Sequence, residues 1–367
     1  MKTFQLLLIS LLLSHLCFAQ EIKPEEVRTI MKRVADWQMD HINDSYSNIN
    51  PHHPLHWTNA ALYVGMAKWA QMANDDTYFN WLKGIGNQND WQLHERKYHA
   101  DDHAVGRMYA ALYRKYGEEK MLAPTMEQFD FLIYHPARTK LNWGTPYHQD
   151  RWNWCDALFM SPPVWADLYN ITGEQKYLDF MFGEYKATSE FLFDDEEHLY
   201  YRDERFKGKL DQGTKIFWGR GNGWVYAGLA DILFNLKPQT KEYEYFLDIY
   251  NKMSLKLLEL QTPEGHWAMS LLGQKFYPTP ETSGSSFFVY GLTWGINNGI
   301  LKGAKYKKAV VKGWNAMASY VNEKGMLGYV QPIGAEPGNA SPDKTEVYGT
   351  GAFLSAGSEI YKMVGGK

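Results

Sequence analysis

The chain has two cysteines in 367 residues, Cys17 and Cys155. Cys17 lies within Met1–Ala19, which reads as a secretory leader: Lys2, an apolar run from Leu6 to Leu13, and Cys17-Phe18-Ala19 before Gln20. Removal of that leader leaves Cys155 alone, which excludes an internal disulfide framework. The apolar run is too short to span a bilayer, and a lipid anchor at Cys17 is disfavoured by bulky Leu16 before it. A basic excess is also lacking. The formal net charge of −4 argues against nucleic acid, which needs a cationic face. Three catalytic signatures are missing as well. There is no HExxH, no GxSxG around a serine nucleophile, and no strand before the glycine-rich run at Gly219–Gly223 that would make it a dinucleotide fingerprint. His52, His53 and His56 lack a matching carboxylate set, so no metal and no cofactor is expected.

Period-two alternation is scarce, whereas helical periodicity recurs throughout. Twelve helices are predicted at about 24–42, 58–73, 75–85, 101–116, 123–134, 156–170, 174–192, 222–236, 241–261, 283–301, 304–321 and 350–364. Small turns followed by tyrosine recur at Asn74–Tyr78, Thr172–Tyr177 and Gly303–Tyr306. They join a helix rich in alanine, glycine and aromatics to a more charged one. Six such hairpins predict an all-α, closed (α/α)6 barrel, a single domain over 20–367, with an open solenoid as the alternative.

Each expected inner helix follows a loop rich in polar and aromatic residues, so six positive helix ends would share one mouth and suit an anion. Asp156, in Trp154-Cys155-Asp156-Ala157-Leu158-Phe159-Met160, stands among apolar residues that disfavour its charged form. Such a carboxyl can act as a general acid. The plainer reading is a helix N-cap. Asp101 and Asp102 open another inner helix and offer the second carboxylate of a glycoside-cleaving pair; Asp102, followed by His103, is preferred. Arg220 lies among glycines and is the expected clamp for a substrate carboxylate, with Arg202 and Arg151 as alternative cations. His148 can bind or orient substrate; a satisfied polar histidine is the alternative. Trp57, Trp154, Trp218 and Trp224 are expected around the sugar, since 14 Trp and 25 Tyr favour a carbohydrate cleft, and Ser283 and Ser285 offer hydroxyls at another helix start.

Four motifs in order resemble glycoside hydrolase family 105, the unsaturated rhamnogalacturonyl hydrolases, and their relatives acting on unsaturated glucuronyl units. These are Trp154-x-Asp156-x-x-Phe159-Met160 with Pro162-Pro163, Trp218-Gly219-Arg220-Gly221-Asn222-Gly223-Trp224, Glu281-Thr282-Ser283-Gly284-Ser285-Ser286, and Gly349-x-Gly351-x-Phe353-Leu354 with Ser358-Glu359. The resemblance runs from about Trp57 to the C-terminus. It implies the same toroid and metal-free hydrolysis of a terminal Δ4,5-unsaturated uronic acid. Asp156 would be the essential acid, Asp101 or Asp102 the earlier aspartate, and Arg220 and Trp224 contacts to the uronate. Where family members often carry His-Gly, this chain has Arg202-Asp203. The expected partner is an unsaturated oligosaccharide made by a lyase, acted on in the periplasm by a monomer or simple homo-oligomer, with no nucleic acid or membrane. A lyase or epimerase on the same toroid would need a Tyr/His or His/His pair. A glycan-binding protein would have no use for an aspartate buried at a helix mouth.

Overall fold

The computed structural model describes residues 22–42 and 52–366; the expected leader, 1–19, lies outside them. Six inner helices form a ring: α2 (Trp57–Ala73), α5 (Gly106–Tyr116), α8 (Pro162–Thr172), α10 (Gly219–Asn235), α12 (Thr282–Asn297) and α14 (Val347–Met363). Each packs on the next, and α14 packs back on α2, which closes the toroid. The outer members are α1 (Pro24–Asp40), α3 (Asp76–Gln88), α6 (Ala123–Tyr134), α9 (Gln175–Leu192), α11 (Lys241–Leu260) and α13 (Ala304–Ser319). Composition sorts the two layers. Inner helices such as α10, α12 and α14 are buried nearly all round, whereas α1, α3 and α11 bury one stripe and keep acidic and basic residues outside.

The ring is tight because glycines let inner backbones touch. A Cβ on Gly65 of α2 would overlap the Gly351 carbonyl of α14, and one on Gly223 would lie 3.0 Å from the Gly284 Cα of α12. Inner helices α2 and α8 end in left-handed residues, Asn74 and Gly173, at φ 51° and 75°. Those are the turns that the tyrosine-following repeats marked.

Two inner helices are broken near the mouth, where unbroken ones were expected. The short α4 (Ala100–His103) leads into α5 through i→i+3 bonds, Ala104 N–H to Asp101 O and Arg107 N–H to Ala104 O, a tightened turn. The short α7 (Ala157–Met160) stops at Ser161, because Pro162 and Pro163 cannot donate to the preceding turn. The Ser161 hydroxyl then joins the two breaks, bonding His103 Nδ1 at 2.7 Å and accepting from Trp165 Nε1 at 3.0 Å.

Two small antiparallel hairpins decorate the mouth: β1 (Phe193–Asp194) with β2 (Leu199–Tyr200), and β3 (Leu210–Asp211) with β4 (Thr214–Lys215). Inside the ring, Trp224, Phe159 and Phe287 form an aromatic layer with centroids 4.4–5.3 Å apart. Beneath Phe159 lies the Arg107 guanidinium, which pairs with Asp231 at 2.8 Å; Lys68 and Tyr290 bind the same carboxylate at 3.2 and 2.6 Å. Four inner helices are thus tied to one buried charge. Breaking one partner would leave an uncompensated charge in the core. No helix among the described residues is long and apolar enough to cross a membrane.

Candidate active site

Asp156 is held by a pairing that joins distant parts of the chain. Trp154 bridges Asp203 antiparallel, and the Cys155 amide donates to the Arg202 carbonyl at 2.8 Å. This places Arg202 alongside Asp156, with Nε 3.5 Å from Oδ2. The Asp156 side chain makes no capping bond although it precedes α7, so capping does not account for it. Its carboxylate is 12% exposed, enough to face a cleft, and meets the Cys155 thiol at 3.5 Å. Cys155 itself is fully buried, as expected of a small packing residue.

The second carboxyl at this point is Asp101. Burial, then the neighbouring charge of Asp156, push its pKa up to about 7, against the pull of Arg96 and Arg202. Its side chain remains 18% exposed. His99 caps α4 by accepting the Asp101 amide on Nδ1 at 3.3 Å and packs on Trp154 at 4.9 Å, so the segment carrying Asp101 is seated on the segment carrying Asp156.

Asp102, preferred from the sequence, is placed differently from Asp101. Asp102 is 1% exposed and saturated with donors: the Arg96 amide at 2.7 Å, Arg96 Nη2 at 2.6 Å and Arg96 Nε at 3.1 Å. Those bonds hold its carboxyl below the usual range despite burial. Successive helical residues point about 100° apart, so only one of two adjacent aspartates can face Asp156.

Arg220, the expected clamp for the substrate carboxylate, is engaged by the protein's own groups. It is 1% exposed, donates to the carbonyls of Gln331 at 2.6 Å and Pro332 at 2.9 Å, and lies between the rings of Trp218 and Tyr348 at 4.5 and 4.9 Å. Gln331 also accepts from Trp218 Nε1 at 2.9 Å, so this constellation anchors the loop at 331–343. Three of the expected aromatic contacts are buried as well. Trp154 and Trp218 are 1% exposed and Trp224 is wholly buried, which makes them walls rather than open platforms. Trp57 is the exception; it is partly exposed and stacked on Tyr348 at 5.3 Å. Ser283 donates to Glu281 at 2.6 Å and Ser285 accepts the Trp267 amide at 2.9 Å; both are sealed in the core. Arg151 is taken by Glu184, at 3.0 Å through two nitrogens.

Arg202 is the cation the fold brings to Asp156. Nη1 is anchored by Asp203 at 2.7 Å, while Nε has no hydrogen-bond partner. Asp203 is itself fully buried and accepts a fork from Arg205 at 2.9 Å. Trp143 lies beneath both guanidiniums, 3.9 Å from Arg205 and 5.3 Å from Arg202, and packs on His148 at 4.6 Å. His148 therefore reaches the aspartates through Trp143 and Arg202. Its Nδ1 donates to the Thr145 carbonyl at 2.9 Å, which leaves a bare, unpartnered Nε2. Arg96, Trp143 and Arg205 had no signal in the sequence, because each matters only through a partner brought up by folding; Asp203 was visible only as part of the Arg202-Asp203 pair. Among the described residues, no group of three or more His, Cys, Asp and Glu is arranged to hold a metal.

An all-α toroid with two facing carboxyls at the aromatic mouth defines the class: a glycoside hydrolase. Comparison with known proteins makes it specific. The model for Glycosyl Hydrolase Family 88 matches residues 30–364, and the chain belongs to that family. An unsaturated 3S-rhamnoglycuronyl hydrolase of Formosa agariphila is 37% identical over 94% of this chain and 93% of its own. Another of the same name, from Alteromonas sp., is 35% identical over 92% and 87%. A solved structure described as a polysaccharide lyase is 32% identical, with a TM-score of 0.82 over 93% of this chain and 98% of its own. The motifs resembled family 105; the family shown is 88. The protein is an enzyme that hydrolyses a terminal Δ4,5-unsaturated uronic acid from oligosaccharides.

Proposed function

We propose that Asp101, Asp156 and Arg202 carry this hydrolysis, and that the sugar following the unsaturated uronate is rhamnose, as in the names of the two relatives. The observation behind the residue assignment is that an uncapped carboxylate, a carboxyl poised near pH 7 and a cation whose Nε contacts that carboxylate only loosely, at 3.5 Å, meet at one point of the mouth. Near neutral pH Asp101 can therefore hold a proton beside Asp156.

Substrate binding directs that proton. The uronate carboxylate docks on Arg202, whose contact to Asp156 at 3.5 Å is looser than its bond to Asp203 at 2.7 Å. Asp156 then shares its counter-ion, and the proton that Asp101 holds near neutral pH passes to it. The substrate is a vinyl ether. Asp156 protonates C4, leaving an oxocarbenium ion at C5, and a water adds there while Asp156 takes the proton that the water loses. The C5 hemiketal opens to a ketone, and the hemiacetal left at C1 expels the next sugar. The glycosidic oxygen need not be protonated by the enzyme, so carboxylate separation does not report stereochemistry here. Trp57, half open beside Tyr348, is assigned to the sugar face.

The Met1–Ala19 pattern supports export to the periplasm, where lyases acting on a rhamnose-bearing acidic polysaccharide, such as the rhamnogalacturonan of pectin, would supply the substrate. Incubation with a lyase-generated unsaturated disaccharide tests the reading: ultraviolet absorbance should fall, and in heavy water deuterium should enter at C4. The lyase description of one neighbour motivates the competing outcome. Absorbance rising on the intact polymer, with no loss on the disaccharide, would overturn hydrolysis.

A further inference from the structure

Four histidines outside the aspartate pair gather on the neighbouring arc of the mouth. His52 stacks on His56 with centroids 5.1 Å apart, His53 stacks on His94 at 4.7 Å, and His56 meets His94 edge-on at 6.4 Å. Backbone donors settle the tautomers of three. The Leu55 amide donates to Nδ1 of His53 at 3.2 Å, the Thr58 amide to Nδ1 of His56 at 3.5 Å, and the Glu95 amide to Nδ1 of His94 at 2.8 Å. With Nδ1 accepting, the ring proton must sit on Nε2, so each ring offers a donor away from its own backbone. These three side chains are at least partly exposed. Arg96 adds to them. Asp102 occupies its Nε and Nη2, its side chain is 52% exposed, and Nη1 remains unengaged among the described residues.

The arc is continuous with the catalytic pair. The His94 amide donates to the Asp102 carbonyl at 3.2 Å, Asp101 is the next residue back, and Trp57 lies 5.6 Å from His56. The acidic groups adjoining it are accounted for. Asp102 is neutralised by Arg96, Glu346 is sealed against His52 with side chains 2% and 4% exposed, and Glu95 is exposed to solvent and acts on Arg96. Burial, then the neighbouring His52 and His94 rings, lower His56 to about 4, so at neutral pH it donates as an uncharged imidazole.

We propose that His53, His56, His94 and Arg96 form a subsite for an oxyanion, a sulfate ester or a second carboxylate, on the sugar that follows the unsaturated uronate. Imidazole and guanidinium N–H groups that only donate favour such a group over a hydroxyl, which must also donate. Arg96 supplies the charge and the imidazoles supply direction. The subsite rests on the hydrolase reading given above, and deepens it.

The test compares three unsaturated disaccharides, in which the second sugar carries a sulfate ester, carries a carboxylate, or is uncharged. Wild-type enzyme should prefer one charged form, and which one identifies the source of the oxyanion. In His94→Gln, and in His53→Asn with His56→Asn, where asparagine can still cap α2, that preference should fall at least tenfold, through KM more than kcat. Melting temperature identifies a variant that does not fold, and the exposed His53→Asn alone then serves. A preference unchanged in folded variants, or no preference in the wild type, overturns the subsite. Should no disaccharide be turned over, the hydrolase reading fails by itself. Calorimetric Kd values for saturated sulfated and saturated uronyl disaccharides then decide the subsite: a tenfold weakening in the variants sustains it, and equal values sink it.

Discussion

Two arginines at the mouth, each beside aromatic rings, ended in opposite roles. Arg220 is surrounded by its own protein: two carbonyls, two ring faces and a loop that hides it. Arg202 is anchored at one nitrogen and leaves Nε aimed at a carboxylate 3.5 Å away. The acidic helix starts divide likewise. Glu281 spends its carboxylate on capping α12, accepting from the Ser283 and Gly284 amides at 3.1 and 2.8 Å, whereas Asp156 caps nothing. Equivalent residues at equivalent positions are therefore told apart by what remains unspent after folding. A group whose hydrogen bonds are saturated stabilises; a group held in place with capacity left over is available for chemistry.

The largest expected effect tests the unspent side. Asp156→Asn should lower kcat on an unsaturated disaccharide by ~10²–10⁴-fold, because an amide cannot deliver the proton. Its melting temperature should stay near the wild type's, since no cap is lost; near-native turnover would sink the assignment.

Next in size, Arg202→Gln should cost about 2–5 kcal/mol in kcat/KM on the free acid, much of it from a carboxylate left unpaired. Its preference for the acid over the methyl ester should collapse. Arg220→Lys should instead lower the melting temperature by loosening the loop at 331–343, and keep the acid-over-ester preference. The reverse pattern would restore Arg220 as the uronate clamp.

The two adjacent aspartates provide a smaller contrast. Asp102→Asn should cost about 1–3 kcal/mol of stability, the scale of charged hydrogen bonds lost from a buried group, with a comparatively mild loss of turnover. Asp101→Asn should act in the other direction. The folded pKa of Asp101, about 7, lies above the ordinary aspartate value of 3.8, so between those values the native state binds the extra proton. Its contribution to stability is most favourable below the lower value and is lost as pH rises through the upper one. The asparagine variant should therefore melt higher than wild type at pH 8, show a flatter stability profile between the two values, and lose activity. A wild-type melting curve that falls no faster than the variant's across that window would remove the raised pKa from the account.

Most of the fold was legible in the sequence. The alternation of glycine- and aromatic-rich helices with charged ones is a composition signal that survives without coordinates, because a helix buried on all sides and a helix with one wet face need different residues. The motif containing Asp156 was legible too, since a carboxylate among apolar neighbours is conspicuous in one dimension. The breaks at Ala104 and Ser161 were not seen, although Pro162-Pro163 carried the signal for the second. The choice between Asp101 and Asp102 depended on Arg96, which lies only six residues before Asp102 but shows its role only once it folds back onto it.

By itself the sequence determined the toroid, its mouth and one carboxylate, because periodicity, burial pattern and local motifs are properties of neighbours along the chain. Tertiary structure alone decided which groups were left unsatisfied there. The pairing of Trp154–Cys155 with Arg202–Asp203 set a cation beside Asp156, and Gln331, 111 residues after Arg220, accepts a hydrogen bond from the expected clamp. Whether a polar side chain is free or engaged depends on partners far away in the chain, and on how many donors and acceptors converge on each buried atom. Those counts exist only once the ring has closed.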